Sequence, residues 1–361
     1  MQARLVTTTV VLVLLPPLAL LLGGRPLAPH FRLPPGYEYQ TGGAFSPLGT
    51  GIVGLTAGAL ILLALWLLSR RESEPPLSSQ AAPARHLPGR GWAGMFLMAG
   101  GLGAGAIVSA PLSVALTLLG ATLLLDADAW RRCGSSLMSA RRGYFLMLFP
   151  AGIVLGWGAE YLNRFAEVGA LDPATGSWGY ATGISLPAAA LLPATLAARL
   201  WLGSFTLFSR VRPAGGLPLP AEAGGLLLML VAATGLAAGT LLPEELYLLA
   251  WMAPLALLAG VQRLLADTPA PGLGSRTLTA MGGGLVAGGI FVAASAAGAP
   301  WQLHAPSAEW PALSTGLLAA VLFAFYGLTA QQMGDWLTQP WRGAQRPLRR
   351  VRIPVRVEMK R

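Results

Sequence analysis

Gly143-Tyr-Phe-Leu-Met-Leu-Phe-Pro-Ala-Gly-Ile-Val-Leu-Gly-Trp157-Gly-Ala-Glu160-Tyr-Leu-Asn163 is an apolar run that ends in polar side chains. A helix needs about 20 apolar residues to cross the hydrocarbon core of a bilayer, and this stretch supplies them. Trp157, Glu160 and Asn163 follow one another at a spacing of three and so share one helical face. Arg164 stands four residues after Glu160, where a helical carboxylate and guanidinium meet. Arg141-Arg142 open the run. The stretch predicts a transmembrane helix that starts basic and ends in a polar cluster.

The rest of the chain has the same character. Hydrophobic residues make up 54% and charged residues 11%, and mean hydropathy is +0.59. A soluble domain carries roughly 25% charged residues, so the main solvent here is lipid. The net charge of +10 is almost all arginine, since Lys360 is the only lysine. Such an excess in a soluble protein would point to nucleic acid. Placed in loops and a tail, it points to the cytoplasmic face of a membrane, and no nucleic-acid partner is expected. Cys133 is the only cysteine, and His30, His86 and His304 all fall in predicted loops. No metal site and no cofactor is expected from them. With no lysine in any span, a retinal-type Schiff base is excluded as well.

Working outward from 143–163, the pattern predicts further spans near 5–23, 48–68, 94–109, 112–125, 184–208, 224–242, 246–265, 277–298 and 313–333. The run from Trp92 to Ala127 is too long for one crossing, and Pro111 divides it. The first span reads as a retained anchor, not a cleaved signal peptide, because its apolar run is long and no small-residue cleavage site follows. The fold class is therefore an all-α polytopic helix bundle of about ten transmembrane helices. It forms a single transmembrane domain, 1–333, followed by a basic tail, 334–361. With the N-terminus inside, loops 69–91, 126–142, 209–223, 266–276 and the tail hold nearly all loop arginines, including Arg70, Arg85, Arg210 and Arg212. The opposite loops are poor in arginine, so both termini are expected to be cytoplasmic.

Several clusters are candidates for function. At the outer end, Glu160 and Asn163 would bind a polar head group between walls made by Trp157, Trp178 and Tyr180. The competing reading is an interfacial aromatic belt with Glu160–Arg164 as a snorkelling ion pair. At the cytoplasmic end, the polar turn after the fourth span carries Asp126, Arg131, Arg132, Ser135 and Ser136, a candidate for a lipid phosphate or a partner, or else a solvated helix terminus. Arg199, inside span 184–208, either snorkels or pairs with an acid such as Asp126. Pro243-Glu244-Glu245 reads as a tight turn. Trp301, His304, Glu309 and Trp310 form an outer loop, and the tail is expected on anionic lipid or a cytoplasmic partner.

Asp126, Gly134-Ser135-Ser136-Leu137, Trp157-Gly-Ala-Glu160-Tyr-Leu162-Asn163, Trp178-Gly-Tyr180 and Leu192-Pro193-Ala194 occur in that order. In this the chain resembles a family of bacterial polytopic membrane proteins of uncharacterised activity, whose pattern is an aspartate, a G-x-S-L turn, W-x-x-E-x-L-N and W-x-Y. The resemblance runs from Asp126 to Ala194, with Asp172-Pro-Ala-Thr-Gly making the segment before Trp178 longer than in the family. It implies a bacterial cytoplasmic membrane and adds weight to these residues, without an activity. The expected role is a polar site at the outer face that binds or processes a lipid or lipid-linked head group. The alternatives are an accessory subunit of a larger membrane complex, with partner subunits, and a secondary transporter.

Overall fold

The computed structural model describes residues 2–31, 46–71, 86–104, 110–140, 142–166, 169–170, 176–212, 219–265, 274–296, 302–303 and 311–342. Arg85, Arg141, the Asp172 insertion, the loop residues Trp301, His304, Glu309 and Trp310, and the tail beyond Arg342 lie outside the described residues.

In lipid a backbone can satisfy its own polar groups by forming helix, and the apolar stretches do so. They are α1 (Gln2–Leu22), α2 (Pro47–Ser69), α3 (Gly89–Gly103), α4 (Ala110–Cys133), α6 (Arg142–Ala166), α7 (Gly176–Gly203), α9 (Ala221–Leu241), α10 (Pro243–Leu265), α11 (Ser275–Ala296) and α12 (Pro311–Arg342). Two single-turn helices, α5 (Leu137–Ala140) and α8 (Thr206–Ser209), sit between them. Eight helices (all the long ones except α1 and α3) have the length and composition to cross a membrane. The protein is a multi-pass, all-α membrane bundle. Gly169–Ala170 (β1) and Gln302–Leu303 (β2) add one short antiparallel pairing between the segments following α6 and preceding α12.

Helix ends reach beyond the apolar runs that announce them. The helix expected at 184–208 begins at Gly176 and stops at Gly203, so Trp178 and Tyr180 belong to its first turns and not to a loop. The polar turn expected after Leu125 is also helical. α4 continues to Cys133, placing Asp126, Arg131 and Arg132 on its last turns. α12 runs on to Arg342, through the start of the expected tail. Pro243-Glu244-Glu245 opens α10 instead of forming a turn. A proline fits the first helical position, which has no amide bond to lose, and carboxylates there complement the helix dipole.

Sequential helices pair as α3–α4, α6–α7, α9–α10 and α11–α12, while α1 packs on α9 and α2 on α10 and α12. The most buried of the eight apolar helices is α7. α7 packs on α4, α6 and α11, while α9 pairs with α10. α2 instead turns Leu55, Ile61, Leu62 and Leu65 outward, the surface lipid solvates. Glycine sets the closest approaches. A Cβ on Gly94 would come within 2.7 Å of the Gly120 carbonyl oxygen where α3 meets α4. One on Gly284 would overlap the Phe323 carbonyl where α11 meets α12. Small residues of this kind let membrane helices gain van der Waals contact backbone to backbone.

The packing leaves two chemically different ends. One gathers Arg70, Arg90, Arg131, Arg132, Arg199, Arg210, Arg263 and Arg276, tied across helices by Arg90–Ser136, Trp201–Asp128 and Arg276–Asp335 contacts. The other holds Glu160, Tyr180 and Asn163. There, among the described residues, the arginines are Arg25 and Arg164.

Candidate functional site

At the Glu160 end, α6 and α7 run antiparallel and bring the last turns of one against the first turns of the other. Tyr180 donates its hydroxyl hydrogen to Glu160 Oε1. Arg164, four residues on, brings Nε to 3.6 Å from the same oxygen and donates through Nη2 to the Tyr180 hydroxyl at 3.2 Å. Asn163 adds a side-chain hydrogen bond to the carboxylate. The Glu160 and Arg164 side chains are only 10% and 8% exposed, so their charges are opposed inside the protein, not snorkelled apart into water. A buried pair is tolerable where other hydrogen bonds support it, and here the Tyr180 hydroxyl bonds both partners.

The surrounding ring contacts fix this cluster. Trp157 donates Nε1–H to the Ser185 hydroxyl at 3.0 Å and meets the Tyr180 ring edge-on at 6.2 Å. His30, in the 3-10 turn Ala28–Phe31 after α1, stacks on Phe165. Its Nδ1 lies 2.8 Å from the Arg164 carbonyl oxygen. Trp178 stands apart. It is 87% exposed, because two residues along a helix turn through about 200°, so burying Tyr180 turns Trp178 outward. It forms no wall over Glu160.

Glu160 and Asn163 also line a cavity of about 140 Å³ enclosed by α4, α6, α7, α10, α11 and α12. Most of its wall is apolar, from Pro187, Leu191, Phe291, Leu322 and Phe323. Two further polar groups face it, Trp251 and Ser295. Trp251 Nε1 and Ser295 Oγ are buried with no hydrogen-bond partner among the described residues. A buried donor left unmade costs about 1–3 kcal/mol, so two on one cavity are an expensive arrangement unless something fills it. Neither stood out in the sequence. A single Trp and a single Ser in apolar helices carry no spacing signal, and only the assembled bundle brings them to the cavity that Glu160 lines.

The cluster expected at the other end separates into two. Asp126 is 1% exposed. It accepts the Met138 amide at 3.2 Å and faces Arg90 Nη2 at 3.3 Å, and that guanidinium also reaches Ser136. Arg131 and Arg132 turn instead to Asp128, each at 2.7 Å, with Trp201 donating to the same carboxylate. Asp126 therefore clamps α3, α4 and α5 together, while Arg131 and Arg132 are engaged at the surface. Ser135 and Ser136 border a separate cavity with Arg199 and Arg276. The expected five-residue site is not assembled as one group, because Asp126 and Arg131/Arg132 lie on different faces of α4.

Among the described residues, no three of His, Cys, Asp and Glu come together as a metal cage. Compared with protein-family models, curated proteins and solved structures, the chain matches none.

Proposed function

We propose that this is a ten-span protein of a bacterial cytoplasmic membrane, with both termini inside, whose cavity at the outer, Glu160 end holds a lipid or the polar part of a lipid-linked molecule. The observation that carries this is the pair of buried donors, Trp251 Nε1–H and Ser295 Oγ–H, that have no partner among the described residues, on the cavity that Glu160 and Asn163 line. The apolar walls suit a hydrocarbon segment. The polar end suits hydroxyl, amide or ester oxygens, which would accept from Trp251 and Ser295. A ligand hydroxyl would in turn donate to Glu160. Orientation is supported by the gathering of arginines at the opposite end, the side that faces the cytoplasm in most membrane proteins.

One observation favours a second reading. Glu160 is held by Arg164 and Tyr180, as a structural anchor in an accessory subunit would be. Native mass spectrometry from native-lipid nanodiscs separates the two. Wild type should retain a lipid that Ser295→Ala, Trp251→Phe and Glu160→Gln lose. Stoichiometric partner proteins, with no lipid difference between wild type and variants, would assign the subunit role instead.

A further inference from the structure

A second cavity space lies at the other end of the bundle. Two adjoining lobes of about 430 and 330 Å³ lie between α4–α5, α6, α7, α11 and α12, and they share Tyr144, Arg199, Leu200 and Arg276. Each lobe falls within the size range of small-molecule sites. Unlike the outer cavity, this one has cationic walls.

Arg199 comes from α7, one turn before the helix ends at Gly203. A guanidinium in an apolar helix is costly, and it persists mainly where it faces other polar groups or a functional space. It is seated by α11. A Cβ on Gly283 would lie 3.0 Å from the Arg199 Cβ and 2.9 Å from its backbone nitrogen, so glycine there keeps α7 and α11 close beside the arginine. Arg276 stands in the first turn of α11, and one nitrogen, Nη2, pairs with Asp335, which Gln331 also supports through Nε2 at 2.8 Å. A guanidinium carries five N–H donors, so that pairing leaves others for a second acceptor. Ser275 and Thr279 line the same wall, which makes the amide end of α11 part of the cavity, where the helix dipole favours negative charge. With Asp335 included, the three charged side chains among the described lining residues sum to one positive charge.

We propose that this cavity binds a phosphate group, held between Arg199 of α7 and Arg276 of α11, with the serine hydroxyls on its rim as secondary donors. The phosphate belongs either to an anionic lipid entering from the inner leaflet or to a soluble phosphate compound. Planar guanidinia are the side chains best matched to phosphate oxygens. The site is separate from the outer cavity and does not depend on it.

The test uses the full chain in an uncharged maltoside micelle, with dioleoyl phosphatidylglycerol and inorganic phosphate as the two probes. Retention of the lipid is read by native mass spectrometry and binding of phosphate by calorimetry. Wild type should bind one of them, and Arg199→Gln and Arg276→Gln should each weaken it by about tenfold or more, the loss expected for one charged hydrogen-bonding partner. Arg276→Lys should recover part of the loss. Ser204→Leu, which fills a lobe while leaving both arginines in place, should block binding even if an arginine variant fails to fold. Lipid retention lost in Arg199→Gln and Arg276→Gln identifies a membrane source and phosphate binding a soluble one, whereas lipid lost only in Ser295→Ala and Trp251→Phe belongs to the outer cavity. Binding of neither probe by wild type, or equal binding in wild type and Ser204→Leu, overturns the proposal.

Discussion

Tyr180 and Glu160 are joined by a hydrogen bond across the α6–α7 seam, and Arg164 holds both partners from behind. Three residues on two helices thus form one closed polar unit, so their substitutions will not be additive. Removing Glu160 alone strands a buried guanidinium, and Glu160→Gln should cost about 3 kcal/mol. Removing both charges leaves no such orphan. The double variant Glu160→Gln/Arg164→Gln should be less destabilised than the sum of the single ones by about 1–3 kcal/mol. Equilibrium unfolding of the four proteins in mild detergent, titrated with a denaturing one, measures the cycle. Simple additivity would show that the pair is not coupled.

The unpartnered donors make an opposite kind of prediction. Trp251→Phe and Ser295→Ala each remove a buried polar atom that has no hydrogen-bond partner among the described residues. In delipidated protein each should be neutral or stabilising by about 1 kcal/mol, since the desolvation cost of the unmade bond disappears. In protein that retains lipid each should be destabilising. A melting series with and without added membrane lipid reads the change of sign, and destabilisation in both states would mean that the two groups serve packing alone.

Two aspartates two residues apart on α4 should behave differently. Asp126 is buried, ion-paired with Arg90 and hydrogen-bonded by the Met138 amide, whereas Asp128 meets half-exposed Arg131 and Arg132. Asp126→Ala should cost about 3 kcal/mol, the order expected when one partner of a buried pair is removed. Asp128→Ala should cost under about 1 kcal/mol from its ion pairs, because exposed pairs are screened by water. The same unfolding assay compares them directly.

Orientation has a built-in reporter. Cys133, the only cysteine, is exposed at the end of α4 on the arginine-rich side. A membrane-impermeant maleimide should therefore label it only in inside-out vesicles. Trp178, exposed at the start of α7, is the matching probe. In a Cys133→Ser background, Trp178→Cys should be labelled only in right-side-out vesicles or spheroplasts. The reverse pattern would invert the proposed topology.

The helices were legible because hydrophobic composition and crossing length are local properties. Their ends were not, since a helix continues past the hydrocarbon wherever its residues tolerate it. Trp178 and Tyr180 read as loop residues because the apolar run begins only at Ile184, yet the helix starts at Gly176. The i, i+4 spacing of Glu160 and Arg164 was readable for the same local reason, and so was the shared face with Asn163. Tyr180 as the donor between them was not, because that bond depends on how α7 lies on α6. Arg90 was hidden more deeply. It lay in what read as a linker, and becomes the partner of Asp126 only because α3 begins at Gly89 and folds back on α4. Trp251 and Ser295 meet only in the assembled bundle. Nothing about either residue in its own helix points to the other.

The central claim, an outer-end cavity that holds a lipid, is tested most directly by a cryo-electron microscopy map of wild type in native-lipid nanodiscs. The account predicts continuous density between α4, α7, α11 and α12, with an oxygen-bearing group within about 3 Å of Trp251 Nε1 and Ser295 Oγ. A cavity that is empty, or closed by the protein's own side chains with both donors satisfied internally, would contradict it.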